Sequence, residues 1–457
     1  MRTGRIAPTL LLIVAGFAAG FVAGYVRPSH PRPSTEPPAE QAVIAPPIAP
    51  QPPAVVDGEP LPFLKPVAVG RGLEDRSAVI TNVLAVDLDG DGLMDSVACD
   101  AGRHSVVWVR QTSLGVFDET TVAEAIIAPA HVAAVDVDAD GDLDLLVASL
   151  GKLFPSNDPI GVVYVLENRG DGTFTKHIAA EGLRRVSDVR GGDLDGDGDV
   201  DLSVAVFGAF QGGACWLENK GGWRFERHDL QNLSGPIHSP IVDIDGDGDN
   251  DIALLVSQEW EEIYLFVNDG AGKFTQKLVY GSIQEDFGSS GIEVADLDGD
   301  GDLDILYTNG DAWDYNPPVP RPWHGIQWLE NVTDEHGGTL RFDYHRLTDF
   351  EGCYGATPVD IDHDGDLDIL AISMFADWSA SPAPPCIVVL ENIGDMRFVR
   401  RTVSDRFTHL QTVDAADFDG DGRVDFVTGG LHVFEPFDRM SRITVWYNGP
   451  IDEEASP

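Results

Sequence analysis

A nine-residue pattern, Asp-x-Asp-x-Asp-Gly-x-x-Asp, occurs seven times in this chain, and no other feature limits the possible folds so strongly. The third copy reads DLDGDGDVD. A hard cation such as Ca²⁺ takes roughly six to eight oxygens at about 2.3–2.6 Å, and alternate side chains of a tightly curled loop can supply them from one side. Each copy is therefore expected to gather four carboxylates round one ion. These are Asp87, Asp89, Asp91 and Asp95; Asp136, Asp138, Asp140 and Asp144; Asp193, Asp195, Asp197 and Asp201; and Asp243, Asp245, Asp247 and Asp251. The remaining three sets are Asp296, Asp298, Asp300 and Asp304; Asp360, Asp362, Asp364 and Asp368; and Asp417, Asp419, Asp421 and Asp425, so the chain is expected to hold up to seven Ca²⁺. Position six is always glycine, from Gly92 to Gly422, as a turn with positive φ requires. Position seven varies and includes Leu93 and Arg423, so any ligand from it is the backbone carbonyl.

The surroundings separate this loop from an EF-hand, which needs a bidentate Glu at position twelve and a helix on either side. Here position twelve is never acidic, and the segments DLLVAS from Asp144, DLSVAV from Asp201 and DIALLV from Asp251 read as strands. The loop thus joins two strands. Copies start 49, 57, 50, 53, 64 and 57 residues apart, a period that signals supersecondary repeats. Several repeats carry a second landmark, such as YVLENRGDGTF from Tyr164 and VVLENIGDMRF from Val388, which reads as a hairpin with a glycine turn. Strand A, metal loop, strand B, variable loop, strand C, glycine turn and strand D together make a propeller blade. The last repeat stops after strand C (ITVWYN, Ile443 to Asn448), whereas PFLKPVAVG from Pro62 stands alone before the first. The N-terminal strand over 61–70 is therefore expected to complete the seventh blade and close the ring.

The pattern D-x-D-G-D-G-x-x-D followed by LENRGDGTF resembles the VCBS and FG-GAP repeat families over about Leu61 to Asn448. The resemblance implies an all-β, integrin-alpha-like seven-bladed propeller with Ca²⁺ held in the A to B loops by the four Asp of each copy. It implies no single activity, because adhesion modules and secreted polysaccharide lyases both carry such repeats.

Residues 1–27 hold Arg2, Arg5 and a mostly apolar run from Ile6 to Val26, long enough to span a bilayer as a signal anchor, with a cleaved signal peptide as the alternative. Both readings export the body of the chain to an extracytoplasmic, membrane-anchored or secreted location (periplasm or cell surface if bacterial), the membrane being reached through this segment. Residues 28–60 are Pro-rich and read as an extended linker of about 3 Å per residue; residues 449–457 form a tail. The formal net charge of −46 excludes nucleic acid as a partner, since phosphate binding needs basic patches. It also means that the clustered carboxylates repel one another when no cation is bound.

The face opposite the metal loops collects the irregular residues. Trp260, Trp313, Trp323 and Trp378 on its loops suit stacking against a sugar or peptide, or packing on one another. His131, Asp188 and His238 each stand five residues before a metal loop in consecutive repeats and are expected to meet near the axis, as a hydrogen-bonded channel lining or as an acid/base group. The leading reading is a binding or adhesion module for a polysaccharide or protein partner; the alternative is a polysaccharide lyase-like enzyme. No nucleophile elbow or phosphate-cradling glycine loop is present. Cys353 and Cys386 are placed on one face of the sixth blade, where a disulfide is expected in an oxidising compartment, while Cys99 and Cys215 read as buried thiols.

Overall fold

The computed structural model of the protein describes residues 43–44, 55–61, 64–73, 78–313, 315, 317–333 and 338–449. The apolar N-terminal segment, most of the Pro-rich segment and the tail beyond Gly449 lie outside these. Among the described residues there is no helix, hence none long and apolar enough to cross a membrane.

The chain forms seven antiparallel blades. Their innermost strands, A, are Ile80–Val86, Pro129–Val135, Val186–Gly192, Pro236–His238 with Ile241–Val242, Ser289–Ala295, Cys353–Val359 and Leu410–Ala416. Strands B, C and D follow outward in chain order in the first six blades. In blade seven the outermost strand is Leu64–Ala68, paired antiparallel with Ile443–Asn448, so the ring closes with the N-terminal strand as expected. The seam is reinforced by Arg442, whose guanidinium meets Asp100 at 3.0 Å and Glu119 at 2.6 Å in blade one.

Why these segments become strands follows from where they lie. Strand B is wholly buried in all seven blades, flanked by two neighbours in its own sheet and by blades on both faces, and accordingly reads as an unbroken run such as DLLVAS. Strand D is outermost and alternates, as in VFDETTVAE of blade one. The core is a ring of seven apolar clusters, one in each cleft between neighbouring blades. In the cleft between blades two and three, for example, Leu146 and Val163 pack with Val189, Leu202 and Cys215. An eighth, smaller cluster of Met374, Phe375 and Leu431 joins loop residues over one end of the ring.

Two details differ from the sequence reading. The end of the Pro-rich stretch is not free: Val56–Asp57 runs parallel to the outermost strand of blade six, and Gly58 N–H donates to Arg400 O at 2.9 Å. The expected Cys353–Cys386 disulfide is absent, and all four cysteines are buried free thiols. Cys353 pairs with Ser373 on strand B, and Ser373 N–H in turn donates to Cys386 O at 2.9 Å on the far side. Two inter-strand steps of about 4.8 Å put the two cysteines roughly 10 Å apart, beyond the reach of a disulfide.

Candidate functional sites

The seven aspartate loops share one construction. Position one caps the turn: Asp87 Oδ1 accepts from Asp91 N–H at 3.1 Å and Oδ2 from Gly92 N–H at 2.8 Å, and the same oxygens of Asp243 accept from Asp247 and Gly248, whereas Oδ1 of Asp193, Asp296 and Asp417 accepts from the glycine at position four. Position five accepts from the amide of position seven, as Asp197 does from Asp199 at 3.0 Å. Position six has φ of 85–101° in every copy, and a Cβ there would meet nothing within 4 Å, so glycine is required by backbone conformation rather than by space. Position four is left-handed too, including Ala139 at 58° and His363 at 65°, which the glycine pattern alone does not announce.

Position nine serves the fold as well as the loop. Asp95, Asp144, Asp201, Asp251, Asp304, Asp368 and Asp425 are at most 1% exposed. One oxygen of each accepts the amide of loop position two and the other an amide at or near the end of strand C, as Asp201 does from Leu194 at 3.0 Å and Asn219 at 2.7 Å. That strand-C asparagine can also reach the preceding blade: Asn268 Nδ2 donates to Leu194 O at 2.9 Å and Asn448 Nδ2 to Ile361 O at 2.7 Å. Loop, strand C and neighbouring blade are thereby locked together. Burial pushes the position-nine carboxyls up, to about 6 for Asp95, Asp144, Asp201 and Asp251 and to about 7 for Asp304, Asp368 and Asp425.

These residues fit a hard cation. Oxygens of Asp87, Asp89 and Asp95, of Asp136, Asp138 and Asp144, of Asp193, Asp195 and Asp197, of Asp243, Asp245 and Asp251, and of Asp296, Asp298 and Asp300 lie within 4.8 Å of one another in each set. Carboxylate oxygens keep a second lone pair when they accept one N–H, and an all-oxygen donor set suits Ca²⁺ or Mg²⁺ rather than a thiophilic metal. Two loops carry their own cation: Arg110 reaches Asp89 and, at 3.3 Å, Asp91 in blade one, and Arg423 reaches Asp421 in blade seven.

At the opposite end of strand A a β-bulge recurs in every blade, between Ile80 and Asn82, Pro129 and His131, Val186 and Asp188, Pro236 and His238, Ser289 and Gly291, Cys353 and Gly355, and Leu410 and Thr412. A bulge re-aims side chains. Here the bulged residues, and all of the residues after them except Asp188, line a cavity of about 270 Å³ on the propeller axis. The bulge hydroxyls also bolt blades together: Thr81 Oγ1 donates to Pro129 O at 2.6 Å and Ser187 Oγ to Pro236 O at 3.0 Å.

The structure brings His131, Asp188 and His238 together. Asp188 is fully buried; its Oδ1 stands 2.9 Å from His131 Nδ1, its Oδ2 3.7 Å from His238 Nδ1, and it pairs with Arg190 Nε at 3.2 Å. Ser239 N–H donates to it at 2.8 Å, which occurs where strand A of blade four is interrupted. Burial alone would raise the Asp188 carboxyl, but Arg190 and the two imidazoles outweigh it and hold the group well below the carboxylate range. Burial and then Arg190 lower His131, against the pull of Asp188. The result is a carboxylate close beside a neutral imidazole, an arrangement able to hold or move a proton. Deeper in the channel, burial raises Glu293 against the pull of Arg190, and raises Asp414, whose Oδ2 accepts Ala85 N–H at 2.7 Å.

The four tryptophans do not share a surface. Trp260, Trp323 and Trp378 pack on the clusters between blades three and four, four and five, and six and seven. Trp260 Nε1 donates to Ser234 Oγ at 3.3 Å and Trp323 Nε1 to Asp286 O at 3.2 Å. Only Trp313 lines the axial cavity, with its ring 5.2 Å from Phe434 and 5.7 Å from Phe375.

A family model described as an FG-GAP-like repeat matches residues 87–147 and 243–307, each span running from the metal loop of one blade (one and four) into strand B of the next. No curated protein matches the chain. Among solved structures, the chain is similar to BBS1N in crystal structures of its complex with ARL6DN soaked with lead or with mercury. In both, identity is 10%, the TM-score is 0.49, and the match covers 87% of this chain and 97% of that one.

Proposed function

Because this chain is a seven-bladed propeller of the FG-GAP and VCBS repeat kind, we propose that it is a Ca²⁺-stabilised binding module that is exported and presents its bulge-side face to a protein or polysaccharide partner. The observation that carries the reading is the repetition of one set of aspartates at the same end of each blade, with no comparable repetition of side chains at the other end. Seven identical chemical sites serve rigidity. Varied side chains serve recognition. Export is supported by the apolar run from Ile6 to Val26, followed by a Pro-rich stretch suited to a spacer.

The test is thermal unfolding in millimolar Ca²⁺, in Mg²⁺ and in chelator. One site at a hundred times its Kd adds about 2.7 kcal/mol, so several occupied loops should raise Tm by well over 10 °C. A Tm identical in Ca²⁺ and chelator would sink the proposal.

A second reading rests on the 2.9 Å contact between His131 and Asp188 at the cavity wall. On that reading the imidazole takes a proton from a bound sugar in a lyase reaction. Incubation with acidic polysaccharides, followed by the ultraviolet absorbance of unsaturated products, tests it. Turnover that survives His131→Ala would exclude that role.

A further inference from the structure

Three arginines with inward-turned guanidinium groups can be compared. Arg442 is 4% exposed and meets two carboxylates, Asp100 and Glu119. Arg190 pairs with Asp188 and feels Glu293 and Asp414. Arg185 is 5% exposed and, among the described residues, has no ion pair. A shortage of acids cannot explain this, because Asp and Glu outnumber Lys and Arg by 76 to 30. Burying an uncompensated charge is costly, and a fold normally supplies its counter-ion.

Arg185 is nevertheless fixed in place. Its Nε donates to Lys152 O at 3.0 Å and its Nη2 to Leu153 O at 2.6 Å, both on the B to C loop of blade two. Its guanidinium lies 4.8 Å from the centre of the Phe207 ring. Nη1 has no hydrogen-bond partner, although the residue lines the axial cavity at the start of strand A of blade three. Two corners of the guanidinium are therefore used to hold it and one is left. Burial lowers Arg185 to about 10, which keeps it charged at neutral pH. Phe154, Trp313 and Tyr354 wall the same cavity.

We infer that the axial cavity is a binding site for a small organic carboxylate, with Arg185 Nη1 as its charge partner and the aromatic walls around its body. The volume of about 270 Å³ admits a monomer-sized ligand. One free corner, with Asp311 and Glu293 in the same cavity lining, favours a single negative charge over the near-double charge of phosphate. The inference deepens the binding-module reading by naming the chemistry accepted on the bulge-side face. A small-molecule test keeps its failure separate from that of macromolecular partner binding.

The experiment titrates the full chain in Ca²⁺ with benzoate, with its uncharged counterpart benzamide and with inorganic phosphate, by calorimetry and tryptophan fluorescence. Benzoate is expected to bind at least tenfold more tightly than benzamide or phosphate, and Arg185→Gln to abolish that preference, with a lowered Tm from the lost bonds to Lys152 O and Leu153 O. Trp313→Ala, which keeps Arg185, should weaken benzoate several-fold and retain the preference, so the question stays answerable if Arg185→Gln does not fold. Equal affinity for benzoate and benzamide, absence of benzoate binding at millimolar concentration, or indifference to Trp313→Ala would each overturn the inference.

Discussion

The two ends of strand A have opposite characters. At one end seven loops repeat Asp, Asp, Asp, Gly and Asp without exception. At the other, a bulge of constant geometry presents Asn82, His131, Asp188, His238, Gly291, Gly355 and Thr412. The backbone repeats at both ends, but the side chains repeat only at the first. What is kept sevenfold belongs to the architecture of a ring in which every blade faces the same neighbours. What varies from blade to blade can distinguish one ligand from another, so the unique group of Asp188, its imidazoles and Arg190 is where specific chemistry resides.

The sharpest way to break this comparison is to remove the centre of the varied end. Asp188→Ala leaves Arg190 without its carboxylate and Ser239 N–H without an acceptor. Breaking one side of a buried pair costs about 3–5 kcal/mol, which urea unfolding should register in Ca²⁺ and in chelator alike. In the same ring, Asn82→Ala removes only the acceptor of Val132 N–H at 3.1 Å and should cost about 1 kcal/mol. Equal costs would mean that the ring positions are interchangeable.

Within the repeated end, position nine and position three should separate. Asp201→Ala exposes two buried amides, those of Leu194 and Asn219, at about 1–3 kcal/mol each, and this loss persists in chelator. Asp195→Ala removes a cage oxygen from a half-buried side chain whose duty in the loop is to accept the exposed Asp197 N–H at 3.3 Å, so most of its cost should appear only when Ca²⁺ is present. A pair of unfolding curves for each variant, with and without the ion, reads the difference. If Asp195→Ala is as damaging in chelator as Asp201→Ala, position three is structural as well.

Much of this was legible in the chain because the informative residues recur. Seven copies fixed blade number, strand order and the face of the loops, and the lone segment over 61–70 before the first repeat announced the closure seen against Ile443–Asn448. Counting back five residues from each loop found the ring of His131, Asp188 and His238, since strand A has nearly constant length. The bulges were not legible, because one extra residue leaves no mark in an alternating pattern. Nor was the duty of position nine, whose hydrogen-bond partners lie 7 and up to 27 residues away. The tryptophans were ambiguous for a physical reason: an aromatic on a loop satisfies burial and recognition equally well in sequence, and only the fold shows Trp260, Trp323 and Trp378 closing the clefts between blades. The position of Arg185 near the axial histidines could be read from the chain, but its missing counter-ion could not, since lacking a partner is a property of three dimensions.

The pH response sets the two states of the repeated end against each other. The position-nine carboxyls are raised by burial to about 6 or 7, above the unfolded value near 3.8. A raised carboxyl contributes stability below the unfolded value and loses it as pH climbs through the folded one. In chelator, Tm should therefore fall between pH 5 and pH 8, and self-repulsion of a chain at −46 acts in the same direction. Ca²⁺ binds the ionised form, so the same interval should show a rising Ca²⁺-induced shift. A Tm in chelator that increases from pH 5 to pH 8 would show that these carboxyls are ionised without cost.

The smallest effect sought lies inside the sevenfold repeat itself, at the two blades that meet at the seam. Arg110 sits against Asp89 and Asp91 and over the Trp108 ring at 5.5 Å, and Arg423 holds Asp421 and donates to Asn448 O at 2.5 Å. A guanidinium beside the cage cancels part of the field that attracts a divalent ion, and to bind, the ion must compete with it. Exposed pairs of this kind are worth about 0–1 kcal/mol, so the loops of blades one and seven should bind Ca²⁺ up to about fivefold more weakly than the rest. Calorimetric titration of the chelated protein is expected to resolve a tight class and a weaker class of two. Arg110→Gln should move one site into the tight class while leaving Tm in chelator almost unchanged, because the lost pair is on the surface. Seven indistinguishable sites before the substitution would show instead that the arginines swing aside at no cost, and that the repeat is uniform in energy as well as in sequence.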